Sequence, residues 1–330
     1  MSMSSVRLVS MGMWVPSRVL TNADLERMVE TSDEWILERT GIRERRIAGD
    51  DVGVVEMGYR AGREALERAN LDASAVDAII VSTATPDRLL PATACDIQAK
   101  LGAQRAVAFD VWGACTGWLY ALNIARGLIA TDQIETALCV AAEKMSAITD
   151  WTDRTTCVLF GDAAAGAVVQ RSEDEERGIL ASYMRSDGSL AELLHRRPIN
   201  PSSVPVDVAE LRVRDGHLRM AGREVFKNAV RSMCESVDAV LEQAGVSRGD
   251  VDLLVPHQAN IRIIEATAKY AGIPRERVWV NVDRYGNTSS ATIPVSLYEA
   301  RQDGRIVEGS LVLMVAFGGG LTWGGTLLRW

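Results

Sequence analysis

The sequence lacks the features that mark membrane and secreted proteins. No apolar stretch approaches the ~18 residues that a membrane-spanning helix needs. The N-terminal segment carries a charge at Arg7 and has neither the long apolar run nor the small-residue cleavage site of a signal peptide. We therefore expect a soluble, cytoplasmic protein without a membrane partner.

Cysteine is scarce, and basic residues are outnumbered by acidic ones. The five cysteines are odd in number, widely spaced and without a Cys-x-x-Cys pair, which disfavours a disulfide framework and a zinc site. Lys and Arg total 36 against 44 Asp and Glu, a formal net charge of −8. Because nucleic acids select basic surfaces, we expect no nucleic-acid partner, although a local basic patch is compatible with this charge. We also expect no metal.

A large apolar fraction and an alternating pattern indicate an α/β protein. The 330 residues are 47% hydrophobic, enough for a sizeable core, and at ~150 residues per domain they suggest two domains or one duplicated unit. Apolar, β-branched runs alternate with helical periodicity. Buried strands are predicted at 77–83, 105–111 and 136–142, and helices at 52–70, 92–101 and 115–130.

A helix–turn–strand unit occurs twice in the chain. Residues 65–81 (ALERANLDASAVDAIIV) and 240–256 (VLEQAGVSRGDVDLLVP) share Leu, Glu, Ala, Val and Asp at matching positions. Two further pairs of similar segments follow in the same order, which favours an internal duplication. We predict two halves, 1–175 and 176–330, that join near the polar turn at 172–177.

Cys115 differs from the other cysteines in its setting. It follows a predicted strand and lies among small residues at the start of a predicted helix. The unpaired N–H groups and positive dipole end of a helix N-terminus lower the pKa of a thiol, which makes Cys115 a candidate nucleophile. A buried structural cysteine in a strand-to-helix turn is an equally good interpretation of this feature alone.

Three other positions could assist such a nucleophile. His257 follows a buried strand directly, at the strand end where α/β proteins place their sites, although a lone histidine is usually structural. Asn287 lies in a turn, either as a local backbone cap or as an amide donor beside the histidine. The run Gly318–Gly320 either exposes backbone N–H groups as an oxyanion hole or only forms a turn.

Four segments together resemble one family. They are FDVWGACTGWLYAL, VPHQANIRII, DRYGNTSSATIP and AFGGGLTWGG, which surround these candidate residues. They are similar to the β-ketoacyl-acyl-carrier-protein synthase III family, and the resemblance extends from about Leu8 to Trp330. It implies a thiolase-like fold, in which two βαβαβαβ halves form a five-layer αβαβα sandwich, and it implies a homodimer.

The resemblance also implies a chemistry. Cys115, His257 and Asn287 would form a catalytic triad, and the backbone N–H groups of Cys115 and Gly319 would form the oxyanion hole. Cys115 would take an acyl group from an acyl-CoA, and malonyl-acyl-carrier protein would then lose CO₂ and condense with it to initiate fatty acid synthesis. Coenzyme A thioester would be a substrate, with no permanently bound cofactor.

Further site residues follow from the same resemblance. The positions that match coenzyme A contacts are Trp35, Arg39, Arg154 and Asn260. Trp35 and Arg154 would sandwich the adenine, Arg39 would lie near the phosphates, and Asn260 would line the pantetheine tunnel. The positions that match the acyl pocket are Leu90, Trp112 and Trp118. The positions that match a basic docking patch for acidic carrier protein are Lys227, Arg262 and Lys269. Taken singly, each charged residue is an ordinary surface residue.

Some positions depart from the family pattern and leave the substrate open. Thr155 stands where glycine is frequent, and Leu90 stands where phenylalanine is frequent. One alternative is a secondary-metabolism relative that transfers the acyl group from Cys115 to a small acceptor. Another is a catalytically silent partner subunit of a condensing heterodimer, which the intact triad disfavours. A 3-hydroxy-3-methylglutaryl-CoA synthase or a plant-type polyketide synthase fits the surrounding motifs less well.

Overall fold

The first part of the chain folds around a five-stranded mixed sheet. The structure, a computed structural model, describes residues 5–174, 176–197 and 216–330. The elements up to the end of this sheet are β1 (Val6–Trp14), β2 (Val19–Thr21), α1 (Asn22–Glu26), α2 (Asp33–Thr40), β3 (Glu44–Arg46), α3 (Val54–Ala69), β4 (Ala78–Ser82), α4 (Thr93–Leu101), β5 (Val107–Val111), α5 (Gly117–Ala130), β6 (Thr136–Lys144) and β7 (Asp162–Arg171). The sheet order is β1-β7-β6-β4-β5, with β7 antiparallel to both neighbours and β4 parallel to both of its own.

The second part of the chain folds around a four-stranded sheet. Its elements are β8 (Gly178–Ser186), β9 (Leu194–His195), β10 (Arg219–Met220), α6 (Gly222–Ala244), β11 (Leu253–Pro256), α7 (Ile261–Ala271), α8 (Val282–Tyr285), α9 (Thr292–Gln302), β12 (Leu311–Gly318) and β13 (Thr322–Arg329). The sheet order is β11-β12-β13-β8. A single parallel bridge between Leu254 and Val278 lies beside β11, where a fifth strand would run.

The two sheets have the same topology. Read from one edge, the first sheet is β1-β7-β6-β4-β5 and the second is β8-β13-β12-β11, with the same parallel and antiparallel pairs. The bridge at Val278 lies next to β11, as β5 lies next to β4. The helices also correspond. In the first sheet α3 follows β1, α4 follows β4 and α5 follows β5, and in the second α6 follows β8, α7 follows β11 and α9 follows the bridge. The described residues thus repeat one strand-and-helix order. The division of the chain at residue 175 stays a prediction.

Three apolar cores separate five layers. The central core joins the inner faces of both sheets to α5 and α9, which provide Leu122 and Leu297 among its fully buried residues. The outer cores lie under α3 and α4 on the first sheet and under α6 and α7 on the second. Close approach in the first outer core depends on Gly12, where a Cβ would lie 2.2 Å from the carbonyl oxygen of Ala61. The predicted five-layer αβαβα class is confirmed.

Most predicted elements occur, with two differences. The predicted helix at 115–130 begins as α5 at Gly117, because residues 114–116 form a tighter 3-10 turn in which Ala114 has a φ of 44°. The predicted buried strand at 105–111 begins at Val107 and is an edge strand, with Val107 itself 54% exposed. Among the described helices, none combines the length and the apolar character that crossing a membrane would require.

Candidate active site

Cys115 lies in the 3-10 turn Ala114–Thr116, directly before α5. Its side chain is buried, and its Sγ lies 3.7 Å from the hydroxyl oxygen of Ser289. Burial raises the pKa of the thiol to about 12, and the hydrogen bond with Ser289 offsets only part of this rise. The expectation that the helix terminus lowers the pKa is therefore wrong for this structure, because loss of hydration of the thiolate dominates. The thiol is neutral at pH 7 and needs a base when it attacks.

His257 is held at the end of β11 by bonds on both sides. Its backbone N–H donates to the carbonyl of Val315 at 2.8 Å, and its ring Nδ1 lies 2.6 Å from the hydroxyl oxygen of Thr292. Burial lowers the pKa of the imidazole to about 3, so the ring is neutral at physiological pH. When the Thr292 hydroxyl donates to the carbonyl of Ser289, 3.1 Å away, Nδ1 carries the ring proton and donates it to Thr292. This leaves Nε2 able to accept a proton.

Asn287 caps the backbone of the following turn and keeps its amide nitrogen available. Its Oδ1 accepts from the N–H of Ser289 at 2.9 Å, as a local cap would. Its own N–H donates to the carbonyl of Leu159, and its carbonyl accepts from the N–H of Gly161. Within the described residues its Nδ2 has no hydrogen-bond acceptor, so this group can bind a substrate oxygen. The two interpretations of Asn287 are thus compatible.

The glycine run brings a second backbone segment against the nucleophile. A Cβ at Gly318 would lie 2.7 Å from the backbone nitrogen of Cys115, so only glycine allows this approach. Gly319 follows at the end of β12 and lines the same cavity as Cys115. The arrangement suits an oxyanion site made by backbone N–H groups of both segments.

One cavity of about 870 Å³ brings the predicted catalytic residues together. Cys115, His257, Asn287 and Gly319 all line it, and so does Asn260. The remaining lining is largely apolar and comes from both sheets and from α6. A volume of this size accommodates an extended acyl chain and part of its carrier.

Two residues of this site were not predicted from the sequence. Glu143, at the end of β6, is a fully buried carboxyl, and Ser289 contacts the nucleophile. Glu143 could have been found, because it lies at the end of the apolar segment TALCVAAEK. His257 was selected for the same reason, as a polar residue at the end of a buried strand. Ser289 was visible only as the second residue after Asn287.

The residues that match coenzyme A contacts lie beside the cavity. The guanidinium carbons of Arg39 and Arg154 lie 4.8 Å and 5.3 Å from the centre of the Trp35 ring. Asn260 donates from Nδ2 to the carbonyl of Arg39 at 3.0 Å, which joins this stack to the cavity wall. An adenine between Trp35 and Arg154 would have to part these two side chains. Helix α2 fixes Trp35 because Ser32 caps its backbone N–H and Gly41 ends the helix.

The three predicted acyl-pocket residues differ in position. Trp112 lines the cavity and is 63% exposed. Leu90 is 86% exposed and Trp118 is fully buried in the central core, and neither lies among the described residues that line the cavity. The structure therefore brings only Trp112 to the pocket. Trp118 is enclosed because its position at the start of α5 faces the layer between the sheets.

The predicted docking residues are exposed on two adjacent helices. Lys227 lies on α6, and Arg262 and Lys269 lie on α7. The guanidinium of Arg262 lies 5.3 Å from the ring centre of Phe226, which itself lines the cavity. A basic surface thus adjoins the cavity. No cluster of side chains suited to a metal occurs in the described ranges.

Comparison with known proteins identifies the family. A family model described as 3-oxoacyl-[acyl-carrier-protein] synthase III matches residues 109–188, and the model of its C-terminal region matches 241–330. The chain is 49% identical over 324 residues to the β-ketoacyl-[acyl-carrier-protein] synthase III of Aquifex aeolicus, covering 98% of this chain and 99% of that one. The crystal structure of the 3-oxoacyl-[acyl-carrier-protein] synthase III from that organism superposes with a TM-score of 0.91 over 98% of this chain and 100% of that one.

A third relative comes from a different pathway. The priming β-ketosynthase of the R1128 polyketide biosynthetic pathway is 35% identical, with a TM-score of 0.91 over 99% of this chain and 96% of that one. The family models and the identity over nearly the full length agree with the motifs and with the cavity they surround. The chain belongs to the 3-oxoacyl-[acyl-carrier-protein] synthase III family.

Proposed function

We propose that this chain joins an acyl-CoA primer to malonyl-acyl-carrier protein by decarboxylative Claisen condensation, through an acyl-cysteine at Cys115. Membership of the family makes the chain an acyltransferase-type condensing enzyme of fatty acid synthesis. The observation that carries the residue assignment is the convergence of Cys115, His257, Asn287 and Gly319 on one cavity. We also propose a cytoplasmic location, from the sequence evidence alone.

The first half-reaction transfers the acyl group to Cys115. The thiol proton passes to Nε2 of His257, and the sulfur attacks the thioester carbonyl. The N–H groups of Cys115 and Gly319 hold the oxyanion, the carbon–sulfur bond to coenzyme A breaks, and coenzyme A leaves with the proton from His257. Because burial raises the pKa of the thiol to about 12 and lowers that of His257 to about 3, proton transfer must accompany the attack of the sulfur, and the imidazolium then gives its proton to the leaving coenzyme A.

The second half-reaction condenses the acyl group with malonyl-acyl-carrier protein. Loss of CO₂ leaves an enolate, whose oxygen needs hydrogen-bond donors. Nδ2 of Asn287 is one donor, and Nε2 of His257 becomes another when the Thr292 hydroxyl turns to donate to Nδ1. The enolate carbon attacks the acyl carbonyl and the bond to Cys115 breaks. The two half-reactions together take up one proton and release CO₂ and coenzyme A.

The substrates would enter past the charged residues beside the cavity. Trp35, Arg39 and Arg154 offer planar stacking surfaces and positive charge for an adenine nucleotide. Asn260 joins them to the cavity, where it would line the pantetheine tunnel. The basic surface of Lys227, Arg262 and Lys269 has the sign needed for an acidic carrier protein, despite the net charge of −8.

A homodimer would cover the exposed edge of the first sheet. The edge strand β5 leaves Val107 54% exposed, and the neighbouring apolar side chains of Leu89, Leu90 and Trp112 are 79%, 86% and 63% exposed. An open edge with large apolar side chains beside it is a surface that a second copy could pair with. In such a dimer Leu90, at a position that matches the acyl pocket, would reach the pocket of the second copy.

Intact-mass spectrometry tests the proposal. The chain is exposed to a panel of acyl-CoAs, and the expected result is a single acyl adduct on Cys115 that malonyl-acyl-carrier protein discharges as a β-ketoacyl product. The polyketide relative at 35% identity makes a second function worth testing, in which the adduct passes to a small acceptor instead. An adduct that amines or alcohols discharge, and malonyl-acyl-carrier protein does not, would favour that second function. Absence of any adduct would refute both.

A further inference from the structure

Ser289 is a residue with a Cβ held in an unfavourable backbone conformation at the nucleophile. Its φ is 51°, in the left-handed region that favours glycine and asparagine, and its N–H is fixed by Oδ1 of Asn287. Its hydroxyl oxygen lies 3.7 Å from Sγ of Cys115 and faces the cavity. Strained residues of this kind concentrate at functional sites, where the surrounding structure holds them in place. The sulfur contact gives this one a specific role to test.

Glu143 anchors the turn that carries Ser289. Its fully buried carboxyl accepts at Oε1 from the hydroxyl of Ser290 at 2.7 Å. At Oε2 it accepts from the N–H of Ala84 at 3.0 Å and from the hydroxyl of Thr85 at 2.9 Å. Within the described residues no cation pairs with it. The carboxyl therefore ties the Ser289–Ala291 turn of the second sheet to the ends of β4 and β6 in the first.

The ionisable groups around the sulfur are few. Glu143 lies at the end of β6, and its charge adds to the rise in the pKa of the Cys115 thiol. His257, at the end of β11, lines the same cavity as Cys115. The charged or titratable residues elsewhere in the cavity lining are Asp87, Arg88, His195, Arg196 and Arg197. Burial raises the pKa of the Glu143 carboxyl, and the N–H of Ala84 and the hydroxyls of Ser290, Thr85 and Ser289 oppose this rise.

We propose that Ser289 is a further catalytic residue of the acylation step and that Glu143 is the positioning residue that holds it. The inference rests on the proposed function, since it presumes attack by Cys115 on a thioester. In the resting thiol, Sγ–H donates to the Ser289 oxygen. When that proton passes to His257, the Ser289 hydroxyl turns and donates to the anionic sulfur until the sulfur–carbon bond forms. Ser289 therefore gains and loses no proton, and the atom balance of the acylation is unchanged.

Two substitutions at Ser289 separate the hydroxyl from the backbone. Ser289→Ala removes the hydroxyl, whereas Ser289→Gly removes it and also relieves the left-handed backbone. We expect both variants to lower the rate at which iodoacetamide alkylates Cys115 across a series of alkaline pH values. We also expect both to slow acylation by acetyl-CoA about tenfold, the usual effect of losing one hydrogen bond to a charged group. Wild-type behaviour of Ser289→Gly, with loss only in Ser289→Ala, would overturn the hydroxyl role.

A double-mutant cycle tests Glu143. Glu143→Gln keeps the shape of the side chain but removes a charge that raises the pKa of Cys115, and the Ser289→Ala background measures this direct effect. Relative to it, we expect Glu143→Gln to slow acylation severalfold when Ser289 is present. Additive losses would show that Glu143 does not act through Ser289. Ser236→Ala is the matched control, because its buried hydroxyl bonds to the carbonyl of Ser232 in α6 and, among the residues that the structure describes, to no other group. Cooperative thermal unfolding of each variant checks that it is folded.

The outcomes distinguish this inference from the proposed function. If the wild-type chain forms the acyl adduct and both Ser289 variants match it in acylation rate and alkylation profile, Ser289 has no catalytic role and the proposed function stands. If the wild-type chain forms no adduct with any acyl-CoA, the proposed function fails and the catalytic role of Ser289 fails with it. A shifted alkylation profile in that case would still support the contact between Ser289 and Cys115.

Discussion

The turn before α5 and the turn before α9 have the same backbone and different chemistry. Each is a three-residue 3-10 turn, Ala114–Thr116 or Ser289–Ala291, whose first residue has a positive φ, 44° at Ala114 and 51° at Ser289. Each leads into a helix of the central layer. One turn carries the nucleophile, and the other carries hydroxyls bonded to Glu143. The repeated architecture thus places two helix starts at one cavity, and their side chains differ: one provides a thiol and the other provides hydroxyl groups.

Substitution of Cys115 should have the largest effect, because it removes the group that distinguishes the first turn from the second. Cys115→Ala removes the nucleophile from the first turn, so we expect no acyl adduct in intact-mass spectra after incubation with acyl-CoA. Cys157→Ala is the control, since that thiol is also buried but does not line the cavity. An adduct that persists in Cys115→Ala would refute the assignment of the nucleophile.

Substitution of Asn287 affects the second turn and should separate the half-reactions. Asn287→Ala removes the Nδ2 donor, so we expect decarboxylation of malonyl-acyl-carrier protein to fall ~10²–10³-fold, with a smaller loss of acylation. Asn287→Asp keeps the Oδ1 cap of Ser289 and should lose decarboxylation as well. Release of ¹⁴CO₂ and formation of the adduct measure the two steps. Equal losses in both steps would contradict the division of roles.

The histidine beside the second turn predicts a pH dependence of stability. Burial depresses the pKa of folded His257 to about 3 from 6.5, so between these values the unfolded chain binds more protons and stability falls as pH falls. From pH 7 to pH 5 this group should contribute a loss of about 2 kcal/mol in the free energy of unfolding. Urea titrations of wild type and His257→Gln at both pH values measure it. An identical pH dependence in the two proteins would show that His257 is not buried as a neutral ring.

The proposed coenzyme A contacts at Trp35, Arg39 and Arg154 lie outside both turns, and we expect substitutions there to have the smallest effect on activity. Trp35→Ala removes the ring on which Arg39 and Arg154 stack, so the KM for acyl-CoA should rise about tenfold with little change in kcat. Trp14→Ala is the matched control, because Arg60 stacks on that ring in the same manner away from the cavity. An unchanged KM in Trp35→Ala would argue against the coenzyme A site.

The sequence predicted the fold, and which candidate residues meet at one cavity, better than it predicted the electrostatics of those residues. Buried strands such as β4 and the repeated helix–turn–strand unit produce patterns along the chain, so the architecture could be inferred from them. The pKa of Cys115 could not be inferred, because it depends on how far the assembled layers exclude water from the thiol. The burial of Trp118 and the contact of Ser289 with Cys115 likewise arise only when the two sheets close on the central helices.

The neutral resting state of Cys115 has a consequence for chemical durability. Peroxides oxidise the thiolate form of cysteine, and a thiol whose pKa is about 12 is ionised at pH 7 only to the order of 10⁻⁵. In the proposed mechanism the sulfur becomes a strong nucleophile only as its proton passes to His257. Because burial keeps the thiolate fraction low, it protects the sulfur from irreversible oxidation between turnovers.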